Sequence, residues 1–296
     1  MSVILKHCND GAVSARNTGA KKQCLEGLTD RMYAARKGFI FPTVRDFESI
    51  SKWLIAIAAK DIVPLYKAYE LTPENTEATV YETGDFVYET APAVKKTSFE
   101  SYLGFCSHRA LKSYNNSTEY TQIFESTNKG EIIGVSSGLG VKGQELSNIR
   151  VGIRNAPTKD KPAFTKVNLT YNDYNELEDN PVVIKVGFLL SDLDGIYDLK
   201  LALSGIPTAT SIKFTASAGC TAGENNVSSF IAANIVLKNA VGAVQTVSFV
   251  PADSNGVYEL KGTGFANGFV LDLNGVVTFA TISYESESPL TISGIV

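Results

Sequence analysis

Hydrophobic and polar positions along this chain follow two different periods. Residues 43–62, TVRDFESISKWLIAIAAKDI, have the helical period, and the apolar positions that predict an amphipathic helix there are Phe47, Ile50, Leu54, Ile57 and Ala58. Thr43 and Asp46 have the spacing of a capping box at its start. Because Trp53 and Ile55 widen the apolar stripe to about half the circumference, this helix needs more cover than one sheet face usually gives.

Other segments have the period of two that is typical of strands. Residues 79–90 contain two runs of β-branched and aromatic residues around Gly84 and Asp85, which predicts a hairpin with a two-residue type II′ turn. A second hairpin is predicted for TQIFESTNKGEIIGV, and further strands for FTKVNLTY and PVVIKVGFLL. The acidic loop between the last two, residues 172–180, is expected to be a solvated hairpin tip. It lacks the residue order of a calcium-binding loop.

A short helix is predicted between the two hairpins, in SFESYLGFCSHRALKSY. The apolar residues that give it a helical spacing are Phe99, Leu103, Cys106 and Ala110.

The amino-acid composition changes near residue 192, where charged residues become rare and Gly, Ser, Thr, Val and Ala dominate. About seven short strand-like runs separated by turn residues follow, which predicts an immunoglobulin-like β-sandwich. It lacks the paired Cys and central Trp of antibody domains. We therefore expect a mainly β protein with two domains. Residues 1–191 form a β-sandwich or barrel with a flanking helix, and residues 192–296 form the immunoglobulin-like sandwich.

The segment GLGVKG, residues 138–143, matches the glycine pattern of dinucleotide-binding loops. Such a loop turns from a strand into a helix. Here the following residues alternate with strand period, and Pro157 ends the segment before a helix could form. The glycines are therefore expected to form a connection between strands.

The inventory of reactive side chains favours no catalytic or metal site. His7 and His108 are the two histidines of the chain, and the cysteines have no C-x₂₋₄-C spacing that would indicate zinc. Cys106 is expected to be buried and His108 to have an ordinary structural role. We expect no enzyme activity and no cofactor.

The four cysteines, Cys8, Cys24, Cys106 and Cys220, show no regular framework, so reduced thiols are expected, which fits assembly in a cytoplasm. The chain contains no apolar run of the length of a membrane span and no leader-like start.

The charge distribution argues against nucleic-acid binding, because the net charge is −4. The exception is residues 1–37, with seven Lys or Arg against three Asp or Glu. This segment, which includes Arg16, Lys21 and Lys22, is either a solvated arm or an arm that docks on an acidic neighbouring subunit.

The order of elements resembles that of bacteriophage tail tube proteins: a basic arm, a capped helix, a long hairpin, a short helix, a β meander and an immunoglobulin-like module. Two segments resemble virion proteins of phages that infect Bacteroidetes in their pattern of residues. They are YTQIFESTNKGEIIGVSSGLGVKGQELSNIRVGI and PAFTKVNLTYNDYNELEDN. The resemblance covers about residues 40–190.

This resemblance implies a non-enzymatic subunit of stacked hexameric rings, assembled in the host cytoplasm together with other tail proteins. DNA passes through such a tube without specific binding. The expected subunit interface combines the hairpin and the basic arm, and its residues are Val80, Tyr81, Phe86, Val87, Tyr88, Arg16, Lys21 and Lys22. The alternatives are a head decoration or fibre-attachment protein of the virion, and a carbohydrate-binding or adhesive module.

Overall fold

The structure is a computed structural model that describes residues 4–6, 25–138, 140–219 and 225–296. It is mainly β, as predicted. Its contacts divide the chain after Leu193 into two compact units, close to the predicted domain boundary at residue 191. The prediction that residues 1–37 are an arm is wrong for residues 29–36, which form a buried strand of the central sheet because Met32, Tyr33 and Ala34 are core side chains. Arg16, Lys21 and Lys22 lie outside the described residues, as do His7, Cys8, Cys24 and Cys220.

The N-terminal unit combines short helices with strands. Its helices are α1 Val44–Phe47, α2 Ile50–Ala58, α3 Phe105–Lys112 and α4 Glu176–Asp179, and a 3₁₀ turn spans Leu190–Asp192. Its strands are β1 Ile4–Lys6, β2 Thr29–Arg36, β3 Ile62–Pro64, β4 Tyr69–Pro73, β5 Thr79–Thr83, β6 Phe86–Ala91, β7 Lys96–Ser101, β8 Tyr120–Thr127, β9 Glu131–Ser136, β10 Val141–Lys142, β11 Gln144–Asn155, β12 Phe164–Tyr171 and β13 Pro181–Lys185.

All the described strands of this unit except β5 and β6 join in one sheet with the main order β1-β13-β9-β8-β11-β12-β7-β4. Strand β8 contacts β9 and β11 along one edge and pairs with β2 along its other edge. Strand β2 in turn pairs with β3. The start of β11 pairs with β8 and the rest of it with β12, so β11 links two parts of the sheet. Buried side chains from β2 and β8 form one core cluster with those from β7, β11 and β12. The two parts therefore pack as the layers of a sandwich.

Helices α1 and α2 cover the opposite face of β2 and β8. Trp53 lies fully buried against Phe124 of β8, with ring centroids 5.3 Å apart, and against Phe41, 4.9 Å away. The Thr43 hydroxyl accepts a hydrogen bond from the Asp46 amide at 3.1 Å, so the predicted cap is confirmed. The predicted continuous helix is wrong, because a break at residues 48–49 leaves two helices. Ile55 remains exposed on the outer side.

Two other predictions in this unit are wrong. Residues 96–101 form strand β7, and helix α3 begins only at Phe105, after Gly104. The acidic loop is not a hairpin tip, because β12 pairs with β11 and β7 while β13 pairs with β9 and β1. This loop crosses between distant strands, and Glu176 within it forms an ion pair with Lys142 at 2.7 Å.

The segment GLGVKG connects strands, as predicted. It leads through β10 into the twelve-residue strand β11. Gly140 has φ +154, and a Cβ there would lie 2.0 Å from the Phe41 carbonyl oxygen. A Cβ on Gly143 would lie 2.8 Å from the Ile123 backbone nitrogen. These two glycines are therefore required by close backbone approach within the sheet.

The C-terminal unit is a two-layered β structure. Its strands are β14 Ile196–Leu203, β15 Ser211–Ala218, β16 Ile235–Lys238, β17 Ser248–Val250, β18 Val257–Lys261, β19 Val270–Leu273, β20 Val277–Phe279, β21 Ile282–Ser286 and β22 Leu290–Thr291, and a 3₁₀ turn spans Ala232–Asn234. One sheet has the order β17-β18-β15-β14-β21-β20, the other β16-β19-β22, and both contribute to one apolar cluster. The immunoglobulin-like identity of this unit stays a prediction.

Candidate assembly surface

The hairpin predicted at residues 79–90 is present as β5 and β6, which form a two-stranded ribbon of their own. Thr83 pairs with Phe86 and Tyr81 with Tyr88, so the turn consists of Gly84 and Asp85. Gly84 has φ +58, whereas Asp85 does not have a positive φ. A positive φ at the first central residue followed by a negative φ at the second is the pattern of a type II′ turn.

The ribbon is an outgrowth of the hairpin formed by β4 and β7. Between the two ladders, Thr76 and Val94 exchange two backbone hydrogen bonds of 2.9 Å. Every residue of β5 and β6 is exposed, and so is every residue of β4. The five hydrophobic side chains predicted to form the interface are 46% to 64% exposed. The described part of the chain therefore covers neither face of the ribbon.

The two faces of the ribbon differ in chemistry. Tyr81, Phe86 and Tyr88 lie on one face, where the rings of Phe86 and Tyr88 stack at 6.3 Å with an interplanar angle of 10°. The other face alternates aliphatic and acidic side chains, namely Val80, Glu82, Val87 and Glu89. Residues 69–94 contain six Asp or Glu and no Lys or Arg. The ribbon therefore presents a flat aromatic surface in an acidic setting.

Ion pairs fix the base of the ribbon to the neighbouring strands. Lys166 of β12 lies 2.7 Å from Glu74, and Ser98 of β7 donates a hydrogen bond of 2.8 Å to the same carboxylate. These contacts, with Lys166 the larger cause, lower the pKa of Glu74. Lys161 binds both Glu70 and Glu100, which raise its pKa. The base is thus held by charged contacts, while the tip has none of this kind among the described residues.

An apolar groove lies on the helical side of the N-terminal unit. It has a volume of about 210 Å³, and its lining residues are Phe39, Ile40, Phe41, Pro42, Asp46, Lys52, Ile55, Ala56 and Asp61. Ile55 gives it an exposed aliphatic wall. Lys52 Nζ lies 3.9 Å from Asp46 Oδ1, which makes this a weak ion pair.

Four polar side chains occupy one end of the sandwich interior. Glu125, Gln144 and Tyr171 occupy inward-facing positions of β8, β11 and β12, each two residues from a core residue, and Lys95 lies just before β7. The core residues in question are Ile123, Leu146 and Leu169. Lys95 Nζ lies 3.3 Å from Gln144 Oε1 and 4.7 Å from the centroid of the Tyr171 ring. Burial lowers the pKa of Lys95 and raises that of Tyr171. No motif in the sequence indicated this polar cluster.

The remaining reactive residues occupy structural positions. His108 Nδ1 lies 2.8 Å from Thr165 Oγ1, and burial lowers its pKa. Cys106 is exposed and disulfide-bonded, so the expectations of a buried and reduced thiol are wrong at this position. No group of three or more His, Cys, Asp or Glu within the described ranges is arranged to hold a metal ion. No helix in these ranges is long and apolar enough to span a membrane.

No family model matches this chain, and no curated protein matches its sequence. The geometry of the ribbon, the groove and the polar cluster is therefore the basis for a functional proposal.

Proposed function

We propose that this chain is a non-enzymatic structural protein of a bacteriophage virion, a subunit of a tail tube built from stacked hexameric rings that conducts DNA. The observation that carries this proposal is the exposed ribbon formed by β5 and β6. Within the described residues, its five large hydrophobic side chains remain exposed to water. Contact with another copy of the chain removes them from water.

The energetics of the ribbon favour such a contact. A two-stranded ribbon is marginally stable in water, because it has no core of its own. No other strand of the described ranges pairs with either outer edge of the ribbon. An edge of β-branched and aromatic residues invites pairing with another chain. Neither strand contains a Lys or Pro that would block this pairing. An interface of about 800 Å² per partner is typical of a stable assembly.

The groove on the helical side offers a receiving surface on the next subunit. The groove and the ribbon are different surfaces, so contact between them is heterologous and generates a ring when the rotation closes. An aromatic side chain such as Phe86 suits the apolar lining between Ile40 and Ile55. Asp85, which precedes Phe86 at the tip, then lies within reach of Lys52.

The other parts of the proposal follow from charge and compartment. The net charge of −4 denies DNA the counterion-releasing contacts that would retard its passage. Assembly takes place in the host cytoplasm together with other tail proteins. The disulfide at Cys106 suits a particle that leaves the cell, because disulfides persist on virions. Arg16, Lys21 and Lys22 remain candidates for the docking arm.

The test is the assembly state of the purified chain with and without the aromatic tip. Wild-type protein is expected to form rings or tubes in negative-stain micrographs, and the variant Phe86→Asp with Tyr88→Asp to remain a folded monomer. Ile153→Asp is the matched control, because Ile153 is 81% exposed in the same unit but lies outside the ribbon. A wild-type chain that stays monomeric at high concentration and is missing from purified virions would end the proposal.

The flat aromatic face also suits a second function, because stacked Phe86 and Tyr88 rings match the apolar face of a sugar. A carbohydrate-binding or adhesive module would stay monomeric and bind oligosaccharides through these rings. A head decoration or fibre-attachment protein would instead appear on virions without forming tubes. The same micrographs, combined with an oligosaccharide binding assay, distinguish the three functions.

A further inference from the structure

We propose that one end of the C-terminal unit binds the surface of a lipid bilayer through exposed aliphatic side chains. This loop end consists of residues 204–210, 239–247, 262–269 and 292–296. The proposal goes beyond the assembly role of the ribbon and is independent of it, since it rests on the C-terminal unit alone.

The strand registers bring these four segments to the same end of the unit. Ser211 pairs with Lys261, so the loop before β15 lies beside the loop after β18. Val270, which follows the second of these loops, pairs with both Lys238 and Thr291. The loop after β16 and the residues after β22 therefore emerge at this end as well.

The loop end holds aliphatic side chains in water. They are 66% to 88% exposed, and they are Ile206, Val241, Val244 and Val296. The aromatic residues of the same segments, Phe265 and Phe269, are buried in the apolar cluster of the unit. The aromatic rings thus anchor the loops, while each of three loop segments leaves one or two aliphatic side chains outside.

Hydrogen bonds within and between the loops fix this arrangement. The Asn239 side-chain oxygen accepts hydrogen bonds from the amides of Val241 at 3.1 Å and Ala243 at 2.9 Å, which closes the turn that carries both exposed valines. The Val296 amide donates to the Pro207 carbonyl at 3.3 Å, so the last segment is tied to the first. Because the loops are already ordered, contact with a surface requires little further ordering.

Charged residues are distributed unequally along the strands. Lys238 and Lys261 end β16 and β18 where the loops begin, and Lys261 Nζ lies 3.3 Å from Glu259 Oε2. Glu259 and Asp272 are each two residues farther from the loop end than these lysines. Five other carboxylates lie toward the opposite end: Asp194, Asp198, Asp253, Glu285 and Glu287. The lysines are therefore the first charges to meet anionic headgroups.

This combination fits a bilayer better than a protein partner. The four segments contain no Asp, Glu, Lys or Arg, and a charge carried into the acyl region is costly. They also contain no Trp or Tyr, whereas Trp, Tyr and Arg dominate the binding energy of protein interfaces. Binding at a membrane interface needs apolar area that enters the boundary between headgroups and acyl chains, with cations beside it. The loop end offers both.

Vesicle flotation of the full-length chain tests the proposal, with vesicles of phosphatidylethanolamine and phosphatidylglycerol. The parent chain carries Phe86→Asp and Tyr88→Asp, so that the aromatic face of the ribbon does not contribute. We expect this chain to float, and the further pair Val241→Asp and Val244→Asp to lower its partition coefficient at least about tenfold, because buried apolar area is lost.

Ile231→Asp in the same parent chain is the matched control. Ile231 is 59% exposed but precedes β16, at the opposite end of the unit, so binding is expected to be unchanged. Lys238→Glu should weaken binding to these vesicles more than binding to phosphatidylcholine vesicles, which lack net charge. Circular dichroism checks that each variant is folded.

Two results would overturn the proposal. One is a parent chain that does not float, and the other is a folded Val241→Asp, Val244→Asp chain that floats as well as its parent. Self-association that these valine substitutions abolish in the absence of vesicles, without vesicle binding, would assign the loop end to another copy of the chain instead. Amide exchange of the parent chain needs no loop variant, and residues 239–247 should become more protected when vesicles are added.

Discussion

The hairpin of β8 and β9 and the ribbon of β5 and β6 share residue types but have opposite surroundings. Both consist of β-branched and aromatic residues around a short turn with a glycine. β8 is mostly buried, flanked by β2 on one edge and by β9 and β11 on the other, and covered by α2 on one face. The ribbon is exposed throughout. The pattern of residues thus specifies that a hairpin forms, whereas its neighbours decide whether that hairpin is stabilised within the subunit.

Hydrogen exchange should show the largest difference between the two hairpins. We expect backbone amides in the middle of β8 to be protected at least about a thousandfold more than those of β5 in the monomer, because β8 opens only with the core. Measurement of amide exchange by NMR or mass spectrometry checks this. Equal protection of both hairpins in a monomer would show that the ribbon has cover that is missing from the described residues.

The next largest effect is expected for the free energy of unfolding when a buried aromatic ring is truncated. Phe124 is fully buried and packs against Phe47 and Trp53. Phe124→Ala should lower the free energy of unfolding by about 3–5 kcal/mol, because it removes buried area and leaves a cavity. Urea denaturation measures the change. A loss below about 1 kcal/mol would mean that the aromatic layer under α2 is not part of the cooperative core.

The two turn glycines provide a matched pair. Gly130 in the first hairpin has φ +79 and Gly84 in the ribbon has φ +58, and an added Cβ meets no atom within 4 Å at either position. Alanine therefore imposes similar backbone strain, about 1 kcal/mol. Gly130→Ala should lower the global unfolding free energy by this amount, while Gly84→Ala should leave it unchanged. Equal losses in denaturant titrations would show that the ribbon folds cooperatively with the core.

The smallest effect is expected for the ribbon's own aromatic side chain. Phe86→Ala should change the unfolding free energy of the monomer by no more than about 0.5 kcal/mol, because Phe86 is 58% exposed. The same substitution should weaken assembly, which sedimentation velocity detects as a shift toward monomer. Strong destabilisation of the monomer would place Phe86 in an internal contact.

The strands and turns were predictable where one signal acted locally. Alternation in FTKVNLTY predicts β12 from Phe164 to Tyr171, and the Gly84–Asp85 pair predicts the ribbon turn. The helix predicted to include Phe99 failed because Phe99 and Leu103 are four residues apart, a spacing that fits the period of a helix and that of a strand. Inward-facing Thr97 and Phe99 alternate with outward-facing residues in β7, and Gly104 separates this strand from α3.

Features that depend on strand order were not predictable. Two strands flank the acidic loop, which predicts a hairpin tip, yet these strands do not pair with each other. Strand β12 pairs with β11 and β7, and β13 pairs with β9. Lys95 and Gln144 are 49 residues apart, and β12 brings their strands together. The exposure of the ribbon was predictable, since it follows from a local hairpin with too few neighbours, whereas its role as a subunit interface stays a prediction. The basic arm with Arg16, Lys21 and Lys22 stays a prediction.

The bridge between Thr76 and Val94 makes the ribbon a replaceable module. Two hydrogen bonds hold the ends of the intervening segment at the separation of paired strands, about 5.5 Å. The entropic cost of closing a different segment across this gap rises only slowly with length. Residues 77–93 are thus a site where an epitope or tag can be grafted and displayed, with the sandwich beneath it keeping its fold.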